Sequence, residues 1–151
     1  MHTHYGHRVR MLNGCTDQIM TSALAQMDLT ASQGRVLGYL VHHPQPPCAH
    51  DIETAFHLSH PTVSGILSRM EKKGFLEQRT DPQDKRFKRI YLLPKGDACT
   101  ARMEQVIQSI ERRIVGGFSE EEQRQFADLL ERAILNMGGS PCNQTHKEDP
   151  T

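Results

Sequence analysis

LSHPTVSGILSRMEKKGFLEQRTDPQDKRFKRIYLLPKG, residues Leu58 to Gly96, runs a capped helix into a hairpin with a basic tip. Ser59 or His60 can cap the helix and Pro61 suits its first position, while Val63, Ile66, Leu67 and Met70 repeat at helical spacing and face a core. The other face carries Thr62, Ser64, Gly65 and Ser68, then Arg69, Lys72 and Lys73. Small hydrogen-bonding groups near a helix start let it sit deep in a major groove. Gly74 stops the helix and Phe75 to Arg79 alternates as a half-buried strand does. A turn at Thr80 to Asp84 leads into a second strand from Arg86 to Leu93, with Phe87, Ile90, Tyr91 and Leu92 as its apolar residues. Asp81, Asp84, Lys85 and Arg86 lie at the tip, and an exposed basic tip suits a minor groove. The order predicts a helix-turn-helix followed by a wing.

Each piece alone has a plain explanation, since a polar helix face and a charged hairpin tip are ordinary solvated surfaces. Their co-occurrence in one short run points to duplex DNA. The chain has 18 Lys and Arg against 18 Asp and Glu, so it is not uniformly basic. The charge is local instead: from Arg69 to Lys95 there are nine Lys or Arg and four Asp or Glu.

The residues resemble the MarR family of bacterial winged-helix transcription regulators. The family pattern of S-x-x-T-V-S, L-E-K-K-G-x-x-x-R, D-x-x-D-x-R and L-T-x-K-G stands here as Ser59-His60-Pro61-Thr62-Val63-Ser64, then Met70-Glu71-Lys72-Lys73-Gly74 with Arg79. It continues as Asp81-Pro82-Gln83-Asp84-Lys85-Arg86 and Leu92-Leu93-Pro94-Lys95-Gly96. Met70 replaces the usual Leu at little cost in volume. Leu93 replaces a capping Thr, so the helix that follows is expected to begin frayed, with Pro94 still setting its first turn. The resemblance implies that His60, Pro61, Thr62, Ser64, Ser68 and Arg69 meet the major groove or its phosphates, with His60 and Pro61 helping to set operator preference. It also implies that Arg86 enters the minor groove, oriented by Asp84. Lys85, Lys88 and Arg89 are candidate phosphate contacts.

The 151 residues make one mainly α domain of α+β type, with 36% apolar residues and no Trp. No stretch is long and apolar enough for a membrane span, and the start, with His2, His4, His7, Arg8 and Arg10, lacks a signal-peptide core. A cytoplasmic protein is expected. Cys15, Cys48, Cys99 and Cys142 are widely spaced, which suggests neither a disulfide framework nor a zinc ribbon.

The remaining sequence reads as scaffold helices. From Tyr5 to Gln26 the positions Val9, Leu12, Ile19, Ala23 and Met27 recur at three- and four-residue steps, with Asn13-Gly14 as an interruption. Thr30 to Gln33 has capping-box spacing and opens a helix with Val36, Leu37, Leu40 and Val41 that ends before Pro44-Gln45-Pro46-Pro47. A short helix from Ala49 to His57 turns Ile52, Ala55 and Phe56 toward the helix of Val63. Lys95 to Gly116 is a long helix striped by Ala98, Met103, Val106, Ile107, Ile110 and Ile114. Ser119 and Glu122 cap a last helix whose apolar face is Phe126, Leu129, Leu130, Ala133, Ile134 and Met137. Residues 31–93 form the winged domain. Residues 1–30 and 94–138 form the helical region through which a homodimer assembles, the interface that the resembled family builds from its first and last helices. Residues 139–151 read as a disordered tail.

The resemblance leaves the sensed signal open among small aromatic or lipophilic molecules, peroxides and metals. Cys15 is the candidate for oxidation, although no tyrosine or basic residue flanks it and Ile19 sits one turn later, so an inert buried thiol is the competing reading. The nine histidines include His42-His43, His50, His57 and His60 but show no zinc spacing, and no metal or cofactor is expected. An effector pocket lined by His7, Met11, Arg35, Tyr39 and Met103 is the expectation by default. No G-x-S-x-G, H-E-x-x-H or glycine-rich phosphate loop supports an enzyme. A winged module that binds proteins and not DNA is the remaining alternative.

Overall fold

Three short helices, a two-stranded wing and three long helical segments follow from the periodicities above. The computed structural model describes residues 4–140. In chain order these are α1 Tyr5–Gln26, α2 Ala31–His42, α3 Ala49–Phe56, α4 His60–Lys72, β1 Leu76–Thr80, β2 Lys88–Leu92, α5 Pro94–Ile114 and α6 Glu120–Asn136. Among these residues no helix is long and apolar enough to cross a membrane. The tail expected from 139 onward lies outside the described residues beyond position 140.

Residues up to 110 form one compact unit. Its core gathers Leu24, Leu29, Val36, Leu37, Ile52, Val63, Leu67, Met70, Phe75, Leu76 and Ile90, drawn from α1, α2, α3, α4 and the wing. The capping box at the start of α2 forms, with Gln33 N–H donating to Thr30 Oγ1 and Thr30 N–H donating to Gln33 Oε1. The α4 stripe of Val63, Ile66, Leu67 and Met70 is buried as its spacing required. His60 takes the first helical position and Pro61 the second, so Ser59 is the cap residue, and its hydroxyl pairs with Thr62 Oγ1 at 2.9 Å.

The end of α4 is closed by a pair of crossed main-chain bonds. Gly74 adopts φ +79°, its N–H donates to the Glu71 carbonyl, and the Phe75 N–H donates to the Met70 carbonyl. β1 and β2 pair antiparallel with Leu76 opposite Leu92, Gln78 opposite Ile90 and Thr80 opposite Lys88. The strands are shorter than their sequence suggested, and Phe87 lies in the loop, exposed beneath the Arg86 guanidinium. The Pro44 to Pro47 segment does more than break α2. Pro47 is buried and its carbonyl accepts from the Ile90 N–H at 2.9 Å, extending the hydrogen bonding of β2 on its other edge.

Several expectations need correction. Asn13-Gly14 does not interrupt α1, because Thr16 Oγ1 donates to the Asn13 carbonyl and Asn13 Nδ2 to Asp17, so the local polar groups are satisfied within the helix. Val9 and Leu12 are exposed, and within α1 Leu24 is the buried residue, with Met27 buried just past the end of the helix. Ala55 is exposed on α3, since a helix of 8 residues turns only Ile52 fully inward. On α5 the inward residue is Cys99 in place of Ala98. The frayed start of α5 does not occur: the Leu93 N–H donates to the Phe75 carbonyl and the Asp97 N–H to the Leu93 carbonyl, and main-chain bonds replace the missing side-chain cap.

Residues from 111 onward form the second unit. Gly117 at φ +84° turns the chain, Ser119 and Glu122 form a capping box on α6, and the Phe118 and Phe126 rings meet edge to face at 5.6 Å. None of the α6 residues is buried: Leu129, Leu130, Ile134 and Leu135 all remain exposed.

Candidate nucleic-acid interface

The positions of α4 that do not face the core present Thr62, Ser64, Ser68 and Arg69, all exposed. Gly65 lies between them, with the Arg69 guanidinium lying along the helix beside it. His60 and Pro61 are exposed at the start of the helix. The His60 ring is held: its Nδ1 lies 2.6 Å from Glu53 Oε1 on α3. His50 Nδ1 is 3.5 Å from the other oxygen of the same carboxylate.

The wing tip is ordered by its own acids. Asp84 accepts from Arg86 through Nε at 3.0 Å and Nη2 at 2.8 Å, and also from the Arg86 main-chain N–H. This fork holds the Asp84 carboxyl below the usual carboxylate range, with the Arg86 side chain as the larger cause. Arg86 remains 83% exposed, so the fork fixes its direction without hiding it. Lys85 and Lys88 are exposed beside it.

Arg89 is placed differently from the other candidates. Its Nε donates to Asp81 at 2.8 Å and its Nη1 to the Pro46 carbonyl at 3.3 Å, so the guanidinium is already engaged inside the protein. Asp81 is buried, also accepts from the Gln83 N–H, and is held below its ordinary pKa first by Arg89. Arg79 stands directly opposite Arg89 in the strand register. The like charges are kept apart because Arg79 pairs with Glu77 and lies 4.7 Å over the Tyr91 ring.

Part of the motif that suggested DNA proves to be scaffold. Glu71 accepts from the Gln78 N–H at 2.8 Å and so ties α4 to β1. Lys73 Nζ donates to the Asp28 carbonyl at 2.8 Å, where Asp28 itself turns at φ +57°. Lys95 Nζ donates to the Lys73 carbonyl at 2.8 Å and sits 4.4 Å over the Phe75 ring. Gly96 fits beneath them because a Cβ there would fall 2.3 Å from the Phe75 carbonyl oxygen. Of the charged residues in the Met70 to Gly74 motif, Lys72 is left free on the surface.

Of the effector candidates, Arg35 and Met103 border one cavity of about 560 Å³ with Asp17, Met20, Leu24 and Gly34. Arg35 and Tyr39 border a second of about 410 Å³ with His43 and Phe56, where Arg35 lies 4.5 Å over the Phe56 ring. His7 and Met11 are exposed on α1 and border neither. Sequence reasoning missed Asp17, Met20 and Gly34; the small residues Gly34 and Gly38, one turn apart on α2, were the available signal. Cys15 is exposed on α1, which corrects the buried-thiol reading, while Cys99 is buried. Among the described residues no group of three or more His, Cys, Asp or Glu side chains is placed to hold a metal ion.

The model of the MarR family matches residues 27–86. The homoprotocatechuate degradative operon repressor of Escherichia coli is 31% identical over 113 residues, covering 75% of each chain. Transcriptional regulator HosA of Escherichia coli O111:H- is 30% identical over 72% of this chain and 79% of its own. Among solved structures, MepR, a transcription regulator of the Staphylococcus aureus multidrug efflux pump MepA, superposes with a TM-score of 0.80 at 29% identity, covering 89% of this chain and 99% of its own. The S. aureus MepR–DNA complex gives a TM-score of 0.75 at 31% identity, covering 88% of this chain and 99% of its own.

Proposed function

The chain belongs to the MarR family of transcriptional regulators, and on that premise we propose that it is a homodimeric DNA-binding repressor whose operator affinity is set by a small aromatic or lipophilic effector. One observation carries the DNA-binding part: α4 exposes a small-polar face of Thr62, Ser64 and Ser68, ending in Arg69, while the wing exposes a direction-fixed Arg86. Hydroxyl groups of that size reach base edges and phosphates in a major groove, and a forked arginine suits the narrow minor groove. The MepR–DNA complex supports the same use of this fold. Action as a repressor is supported by the operon repressor among the relatives. Work on chromosomal DNA would place the protein in the cytoplasm.

Dimerisation is supported by the apolar side chains that each unit leaves uncovered, Tyr5, Val9, Met11 and Leu12 on α1 and Leu129, Leu130, Ile134 and Leu135 on α6. Apolar faces of that kind mark association surfaces. The effector reading is supported by the cavity of about 560 Å³ bordered by Met20, Leu24 and Met103, a largely apolar space with Arg35 and Asp17 at its side and of a size for a small aromatic or lipophilic molecule. Selection of duplexes from a random pool, followed by a salt-dependent mobility shift with and without aromatic acids, tests the whole reading. A protein that selects no duplex overturns the DNA-binding part; one whose bound duplex no aromatic acid releases overturns the effector part.

A further inference from the structure

Beside the reading face of α4 lies a cleft of about 530 Å³ bordered by α3, α4 and the wing. Its titratable and charged neighbours are Cys48, His50 and Glu53 from the α3 side, His60 from α4, and Arg86 and Lys88 from the wing. Within it Glu53 lies between two imidazoles, with its carboxylate mostly covered at 17% exposure while the His60 side chain is 73% exposed. With Glu53 ionised, two acceptors cannot approach to 2.6 Å, so His60 Nδ1 then carries the hydrogen and donates it to Glu53. That contact fixes the tautomer. The ring's other nitrogen, Nε2, is then a lone-pair acceptor when His60 is neutral and an N–H donor when it is charged.

DNA offers few partners to the neutral form. Phosphate oxygens, guanine N7 and O6, adenine N7 and thymine O4 are all acceptors, and only adenine N6 and cytosine N4 donate in the major groove. Protonation reverses the match and adds a positive charge facing phosphates. We propose that Glu53 is a positioning residue that makes His60 a proton-dependent DNA contact, so that binding takes up a proton at His60 and operator affinity rises as pH falls. The proposal rests on the DNA-binding reading above. Glu53 supplies both the direction of the ring and the counter-charge for its cation at the start of a helix, where a lone positive charge is otherwise disfavoured.

The test uses the full chain and a duplex that it selects from a random pool. Dissociation constants are measured by fluorescence anisotropy from pH 8.5 to 5.5 at fixed ionic strength, for the wild type and for Glu53→Gln, His60→Gln and His50→Gln. The wild type should tighten as pH falls, by at most about tenfold per pH unit, the limit for one linked proton. His60→Gln should flatten that dependence. Glu53→Gln, whose amide can turn either its oxygen or its NH2 toward Nδ1, should free the ring to adopt the other tautomer and so weaken that dependence, and His50→Gln should keep it. Imidazole nitrogen shifts of the free wild-type protein give a second readout that needs no variant, and they should report hydrogen on His60 Nδ1 at pH 8. A pH-independent wild-type affinity, a slope that survives in His60→Gln or vanishes in His50→Gln, or hydrogen on Nε2 at pH 8 would each overturn the proposal. Failure of the wild type to select any duplex would instead overturn the DNA-binding reading on which it rests.

Discussion

Arg86 and Arg89 are three residues apart on a basic hairpin, and both read as DNA contacts, Arg86 in the minor groove and Arg89 at a phosphate. Their surroundings separate them. Arg86 is exposed and aimed by Asp84, whereas Arg89 is held by Asp81 and the Pro46 carbonyl. Arg86→Ala should weaken binding to all duplexes and lower the slope of log affinity against log salt by about one unit, as loss of one phosphate-facing cation does. Salt titrations of the purified variant check this, and an unchanged slope would remove the wing from the interface. Arg89→Ala should act through stability, because it strands a buried Asp81 carboxylate; its urea midpoint should fall. Gly96 makes the same point about motifs. Its residue type was legible, but its reason was not, because the Phe75 carbonyl that excludes a Cβ comes from 21 positions earlier in the chain. Gly96→Ala would gain helix propensity of about 1 kcal/mol. Overpacking against main chain outweighs that gain, and a net loss on the order of 1–3 kcal/mol should appear in denaturant unfolding.

At the scale of elements, periodicity placed every helix, and glycine and proline placed most of their ends. The wing's extent was less legible, since Phe87 has the residue type of a strand but sits in a loop closed by the Asp81 and Phe87 main-chain bond. Periodicity also could not say what covers an apolar face, which is why Val9 and Leu12 read as core and stand exposed. Three carboxylates that order helix and wing have pKa values below normal. Asp51 is held low first by the Cys48 N–H at the start of α3, Asp81 by Arg89, and Asp84 by Arg86. A depressed carboxylate stabilises the fold above its unfolded pKa of about 3.9, and that contribution is lost as pH falls through the folded values. Thermal unfolding should therefore show stability dropping below about pH 4. Asp51→Asn should diminish that drop, and an equal acid response in the variant would contradict the assignment.

For the whole molecule, two-fold symmetry would relate two copies of α4, so the operator should be a pseudo-palindrome with half-site centres roughly 10 base pairs apart. Footprinting that protects one half-site alone would contradict it. The exposed face of α6 gives the matching test of assembly. Leu129 is 59% exposed in the single chain, so Leu129→Asp leaves the protomer intact and should shift sedimentation toward monomer by placing an unpaired charge in the interface. Ile110 is a poorer probe because it is already buried within its own chain.

The short segment from Pro44 to Pro47 joins regions that are distant in sequence. It continues from the end of α2, where Tyr39 and His43 border a cavity, and its carbonyls at Pro46 and Pro47 grip Arg89 and Ile90 of β2. With φ fixed at three prolines, the strap has little slack in which to absorb motion. Any rotation of α2 would therefore be expected to reach the root of the wing at Arg89 and Ile90, since the strap that joins them is too short and too stiff to take it up.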